Sequence, residues 1–168
     1  DALGMLGHSD TDDVFTRSQS ELVAMIKIAL GGQAAEEIFF GEVSTGPASD
    51  LSYATTVASQ MIGACGMGES LISLQAVAGS QLSDTNLVGR VLGDPTTRAE
   101  VDELLNREKA ATVELLAANR HLVEALRDAL LERQELIGHE ILDVLEQASR
   151  DHEASGRTVD LTTPRASI

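Results

Sequence analysis

Cysteine, aromatic side chains and positive charge are all scarce in this chain, and each scarcity excludes something. Cys65 is the single cysteine, so the chain has neither an internal disulfide framework nor a cysteine metal cluster. Its neighbours Gly63, Ala64 and Gly66 are small, and the expectation is a small packing residue. Tryptophan is absent and aromatics make up 2% of the residues, so a core has to be assembled from Leu, Ile, Val, Ala and Met. That composition favours packed helices over a β-sandwich, whose strands draw on aromatic and β-branched side chains. Lys and Arg number 12 against 27 Asp and Glu, a formal net charge of −15. Both parts share the imbalance, with 12 acids against 3 bases in residues 1–95 and 15 against 9 in residues 96–168. A surface of that sign repels phosphate backbones and anionic headgroups, which argues against nucleic acid as a partner and against direct adhesion to an anionic bilayer. Long apolar runs are missing as well. The best, residues 22–30, is short and contains Lys27, so no transmembrane segment is expected, and Asp1-Ala2-Leu3 does not open a signal peptide.

What is present is helical periodicity over the length of one domain. Gly4 and Gly7 punctuate a short extended or looped entry over residues 1–15. The first strong helix starts near Thr16 to Ser20, where Ser18 with Glu21 or Thr16 with Gln19 forms a capping box. Leu22, Met25, Ile26, Ala29 and Leu30 recur at helical spacing, and Ala34, Ala35 and Ile38 continue the stripe. Gly31-Gly32 interrupts it, and two glycines inside a helix cost about 1 kcal/mol each relative to Ala. A kink, or another backbone packed too close for a Cβ, is the expected reason. Gly41 ends this helix and residues 41–47 form a loop. Ser49 or Asp50 is expected to cap a second helix whose apolar face is Leu51, Ala54, Val57, Ala58, Met61 and Ile62, with Gly66 as its stop.

Residues 69–95 read as an irregular flap, with Leu71 to Val77 as a short strand or apolar loop and Gly79, Gly89, Gly93 and Pro95 as breakers. The last third is helical: a long helix over about Thr96 to Ala118, a second capped by Asn119, and a third marked by Ile141, Leu142, Leu145 and Ala148. From Arg150 onward the chain reads as a frayed tail. The expected fold is thus mainly α with at most a small N-terminal β element. It divides into residues 1–149 (1–68, a flap over 69–95, and a helical bundle over 96–149) and a flexible tail over 150–168.

No catalytic set is complete on residue types alone. The histidines are His8, His121, His139 and His152, and no two stand at i and i+4 to present a paired imidazole face to zinc. Glu36 and Glu37 are adjacent, so they point in different directions on a helix. The reading this supports is one carboxylate buried in a hydrogen bond and one solvated. No G-x-x-x-x-G-K-[ST] occurs, which excludes ATP binding by a P-loop within these residues. Asp50, read by itself, is an N-cap.

Four ordered stretches carry a resemblance. Thr16-Arg17-Ser18 followed by Leu30-Gly31-Gly32-Gln33-Ala34-Ala35-Glu36-Glu37 resembles the long helix of FtsH-type peptidase domains with its L-G-G-x-A-A-E-E signature. Phe40-Gly41-Glu42-Val43-Ser44-Thr45-Gly46 resembles the following loop. Asp50-Leu51-Ser52-Tyr53-Ala54-Thr55 matches that family's D-L-x-x-A-T, and Gly66-Met67 its G-M. Residues 131–141 resemble the closing L-E-x-E-T-L-x-G-x-E-I segment. The likeness covers about residues 2–148.

The resemblance implies a membrane-anchored, ATP-dependent zinc metalloendopeptidase of the AAA+ type. In that family two histidines of an H-E-x-x-H helix and a later aspartate bind zinc, and the motif glutamate activates a water in the open fourth position. Asp50 falls on the third-ligand position. The sequence contains no H-E-x-x-H, so no histidine ligand and no catalytic glutamate is assigned, and this portion alone is expected to lack zinc and activity. The A-L-G start at Ala2 resembles the family's entry to a strand just after the motif helix, which favours truncation over a degenerate homologue. Ser49 stands where relatives often carry Asn. The family further implies a hexamer, ATP bound by a separate module, unfolded or membrane-protein substrates, and a place on the cytoplasmic face of a bacterial membrane through segments outside this chain. Two other readings stand beside it, a non-catalytic helical oligomerisation scaffold and a helical binding module unrelated to proteases. The scaffold would be a degenerate member of the same family and is supported by the same Leu/Ala-rich helices; the unrelated module explains the periodicity and acidity but not G-E-V-S-T-G followed by D-L-x-x-A-T.

Overall fold

A computed structural model describes residues 16–76, 86–154 and 156. Among the described residues there are six helices and no strand: α1 (Gln19–Phe40), α2 (Ala48–Gly63), α3 (Leu87–Gly93), α4 (Pro95–Ala118), α5 (Arg120–Arg133) and α6 (Gly138–Ala154). The mainly α expectation therefore holds. The small N-terminal β element and His8 lie outside the described residues.

The start of α1 follows from local chemistry. Ser18 has extended backbone, its hydroxyl accepts the Glu21 amide (3.3 Å), and the Glu21 carboxylate accepts the Ser18 amide (2.6 Å). This capping box satisfies two amides that the first helical turn would leave bare. At the other end Gly41 adopts a left-handed conformation (φ 74°) and donates to the Glu37 carbonyl, where a side chain would be strained.

The core is made where α1, α2, α3 and α4 meet. Ile26, Ala29 and Leu30 from α1 cluster with Ala54, Val57, Ala58, Met61 and Ile62 from α2, Val91 from α3, and Val101 and Leu104 from α4. It contains no aromatic ring, as the composition required. Burying a Leu, Ile or Met side chain contributes about 1.5–3 kcal/mol, so Ile26, Leu30 and Met61, each almost fully buried, account for much of the α1–α2 union. Polar contacts then fix α4 on α1. Lys109 Nζ meets Glu37 Oε1 at 2.6 Å, and Lys27 Nζ lies 3.4 Å from Glu108 Oε2.

Several expectations are corrected. Of the two reasons expected for Gly31-Gly32, the close backbone is not found: α1 runs through both, and a Cβ on either would find open space among the described residues. The flap is only partly irregular. Residues 64–76 are coil and turn with no strand, but residues 87–93 form α3, nucleated by the Asn86 side chain accepting the Gly89 amide (2.8 Å) and anchored by Val91, which is fully buried. Asp94 then accepts the Thr96 and Thr97 amides (both 3.0 Å), and Pro95 opens α4, the first helical position where its missing N–H is harmless. Cys65 is exposed rather than packed, in the turn that follows the end of α2 at Gly63.

Asn119 precedes α5 but does not cap it through its side chain; its amide nitrogen donates back to the Leu115 carbonyl (2.9 Å), finishing α4 instead. Helix α6 continues past Arg150 to Ala154, so the helical pattern outlasts the boundary drawn for the tail; residues 157–168 lie outside the described residues. The last third also divides differently from a single bundle. Helix α4 belongs to the core with α1 and α2, while α5 and α6 pack on each other and meet the rest at the end of α4 and where Arg120 lies over the Phe39 ring of α1.

Candidate metal-ligand site

Asp50 sits in the first turn of α2, three positions after the N-cap, and is exposed. The cap itself is Pro47, and no side chain closes it. The expectation that Ser49 or Asp50 caps this helix is therefore corrected. The helix begins two residues earlier than Asp50, with Leu51 and Ala48 amides already bonded to the Pro47 and Thr45 carbonyls. This matters for chemistry, because the Asp50 carboxylate is not used up on helix amides. It makes no hydrogen bond or ion pair among the described residues.

The loop that delivers Asp50 is held from α1. Glu36, one turn before the end of that helix, accepts the Ser44 amide and the Ser44 hydroxyl, each at 2.7 Å. Ser44 Oγ in turn accepts the Gly46 amide (3.1 Å). The backbone hydrogen bond from Ser44, followed by that from its hydroxyl, holds the Glu36 carboxyl below its ordinary range. Two donors on one ionised carboxylate make a charge-assisted clamp across the α1–α2 connection. Its neighbour Glu37 turns the other way and pairs with Lys109. The expectation of one carboxylate buried in a hydrogen bond and one solvated is thus met only in the bond itself: Glu36 is bonded but only half-buried, and Glu37 is tied to α4. Lys109 was not singled out because nothing local in its sequence marks a partner 72 residues away.

The rest of the D-L-x-x-A-T string is explained by packing. Ala54 is fully buried against α1, where a larger side chain would push the helices apart, and the Thr55 hydroxyl donates to the Leu51 carbonyl (2.8 Å). Phe40 at the end of α1, Val43 in the connection, and Leu51 and Tyr53 at the start of α2 are exposed.

The described residues do not by themselves form a zinc centre. No group of three or more His, Cys, Asp or Glu side chains among them is placed to hold a metal. His121 and His152 stack on one another between α5 and α6, His139 is exposed at the start of α6, and none joins Asp50. The arrangement offers one accessible carboxylate on a braced helix start. Nor is any helix among the described residues long and apolar enough to cross a membrane.

This architecture is that of a helical peptidase domain. The sequence model of peptidase family M41 matches residues 1–144, and the chain belongs to that family. The chain is 35% identical over 156 residues to the ATP-dependent zinc metalloprotease FtsH 4 of Synechocystis sp., covering 87% of this chain and 24% of that protein. It is 34% identical to the ATP-dependent zinc metalloprotease FtsH of Marinobacter nauticus (88% and 24%). It is 32% identical to the chloroplastic or mitochondrial ATP-dependent zinc metalloprotease FTSH 11 of Arabidopsis thaliana (86% and 17%). The chain thus spans about a quarter or less of the length of these curated relatives.

Proposed function

We propose that this chain is the peptidase-domain portion of an ATP-dependent zinc metalloendopeptidase, and that Asp50 is the third protein ligand to zinc when the domain also carries its H-E-x-x-H helix. The membership of residues 1–144 in peptidase family M41 carries this reading. The free carboxylate of Asp50 supports it: an aspartate with a structural duty at this position would be capping amides, and this one is not. A ligand also has to be held still, and the Glu36–Ser44 clamp restrains the loop that leads to it. With one ligand in place and two histidines and a catalytic glutamate to be supplied, the 168 residues alone are expected to bind no stoichiometric zinc and cleave no protein.

On the same reading the parent protein is a hexamer that binds ATP in a separate module. It feeds unfolded or membrane proteins to the site and is anchored to the cytoplasmic face of a bacterial membrane by segments outside these residues. The test uses the parent protein. Asp50→Asn keeps size and removes the charge; it is expected to lower zinc content, read by elemental analysis, and to abolish ATP-stimulated casein cleavage while the assembly's mass stays unchanged. Stoichiometric zinc and undiminished cleavage in that variant would overturn the assignment.

A further inference from the structure

The loop after α2 presents two adjacent aliphatic side chains to solvent. Leu71 and Ile72 are 89% and 70% exposed, and Leu71 is the most exposed large hydrophobic among the described residues. The loop that carries them is tied to three helices. Its Leu74 amide donates to the Gly63 carbonyl of α2 (2.8 Å), and Arg90 Nη1 of α3 donates to the Leu74 carbonyl (3.2 Å). Glu100 Oε2 of α4 accepts the Glu69 amide (3.1 Å). Leu74 itself packs against the core. Residues 71 and 72 thus form a braced apolar knob.

A groove of about 540 Å³ lies between α2 and the corner of α3 with α4, lined by Thr55, Leu92, Pro95, Arg98, Ala99 and Leu105. Its apolar walls suit aliphatic side chains, and its volume is ample for two of them. Knob and groove lie on opposite flanks of α4. Glu100 faces the loop, whereas Arg98 and Asp102 in the groove are each about 160° away from it around the helix. A molecule therefore cannot seat its own knob in its own groove.

We propose that the knob docks in the groove of a second copy of this chain, in a head-to-tail contact. Charge selects the partner. The exposed Glu69 carboxylate beside the knob makes no hydrogen bond or ion pair among the described residues, and neither does Arg98 in the groove. Residues 28–89 contain no Lys or Arg, so the cation that Glu69 lacks locally is supplied by Arg98 of the second copy. Asp102 sets the register, because Glu69 is attracted to Arg98 and repelled one turn further along α4. The overall charge of −15 opposes pairing, but it is screened beyond about 8 Å at physiological ionic strength, so local contacts decide. Two side chains and one ion pair bury far less than a standard interface of about 1,600 Å², so a single contact is weak. It leaves a knob unused at one end and a groove at the other, so it repeats, and a closed ring gains one contact over an open chain. The proposal does not depend on the zinc assignment.

Two forms of the 168-residue chain test the contact. The first keeps Cys65, which borders the knob, since a Cβ built on Gly66 would lie 3.5 Å from Leu71 Cδ2. The second carries Cys65→Ser and Ala99→Cys, which moves the thiol into the groove. All the substituted positions are exposed, so the fold is kept. Mixed in equal amounts and treated with a short bismaleimide, the two forms are expected to yield heterodimer beyond its statistical share. Leu71→Asp in the first form is expected to lower that yield about tenfold, by putting a charge where aliphatic burial held the contact. Arg98→Glu in the second form is expected to lower it about threefold, and Glu69→Arg in the first form to restore it. Heterodimer at or below its statistical share overturns the proposal, as does a yield indifferent to Leu71→Asp. So does a charge swap that leaves the yield as low as Arg98→Glu alone.

Discussion

Helix α3 lies where the sequence pattern indicates a flap, and a single methyl group tests whether it is part of the core. Gly63 closes α2 directly beneath α3. A Cβ built there would run into Val91 Cγ2 and come within 3.2 Å of Leu87 Cδ1. Val91 is fully buried, so it cannot swing into solvent without leaving the core. Overpacking of this kind costs about 1–3 kcal/mol. Alanine is the better helix former by about 1 kcal/mol in a helix interior, but Gly63 is the last helical residue and gains less than that. Gly63→Ala should therefore destabilise the chain by about 1–2 kcal/mol.

Val91→Ala removes two methyl groups from a buried site, about 1.6 kcal/mol of transfer free energy plus a cavity contribution, for a total of about 2–3 kcal/mol. The double variant is the decisive one, since the space vacated by Val91 Cγ2 accepts the new Cβ. Its cost should stay close to that of Val91→Ala alone, a coupling of about 1–2 kcal/mol. Urea unfolding of the 168-residue chain, followed by far-UV circular dichroism, measures all three variants. If the two single effects add to within about 0.5 kcal/mol, α3 does not press on α2 as described.

Two further predictions concern carboxylates. Glu36→Gln should loosen the α1–α2 connection, because an amide side chain cannot give both Ser44 donors an ionised acceptor. Faster exchange of the Ser44 amide, read by NMR, is the measurement. In the unsubstituted chain that anchoring should be complete above the ordinary carboxyl value of 4.5 and lost as pH falls through the lowered folded value, whereas in Glu36→Gln the acid dependence should vanish. An equally protected, equally pH-dependent Ser44 in the variant would remove the clamp from the account. The buried Glu108 sets up an asymmetry, since its carboxylate is enclosed between Lys27 and Arg107 while both cations reach solvent. Glu108→Met should cost less than about 1 kcal/mol, whereas Lys27→Met, which leaves the enclosed carboxylate with one partner fewer, should cost about 1–3 kcal/mol. The order of the two thermal midpoints settles it.

Where the chain's chemistry is local, the sequence already contains the structure. Ser18 and Glu21 define the start of α1 because a capping box needs only a hydroxyl, a carboxylate and three positions between them. Gly41 ends it for an equally local reason. The misreadings arise where distant residues decide. Gly89 and Gly93 look like breakers, yet α3 forms because Val91 finds a dry place against α2, a gain that no window of ten residues displays. The Gly31-Gly32 pair suggests a close backbone, but among the described residues its Cβ positions are open, and the pair has no physical account in them.

Asp50 is the most instructive position. Local rules make an aspartate at a helix start a cap. The turn at Pro47 moves the helix start upstream and leaves this carboxylate without that duty. The family pattern singled out the residue, and the displaced cap leaves its carboxylate unoccupied by helix amides. On the proposed reading a single exposed oxygen donor on a braced turn would hold a metal weakly, so a ligand role for Asp50 depends on the other ligands converging on it.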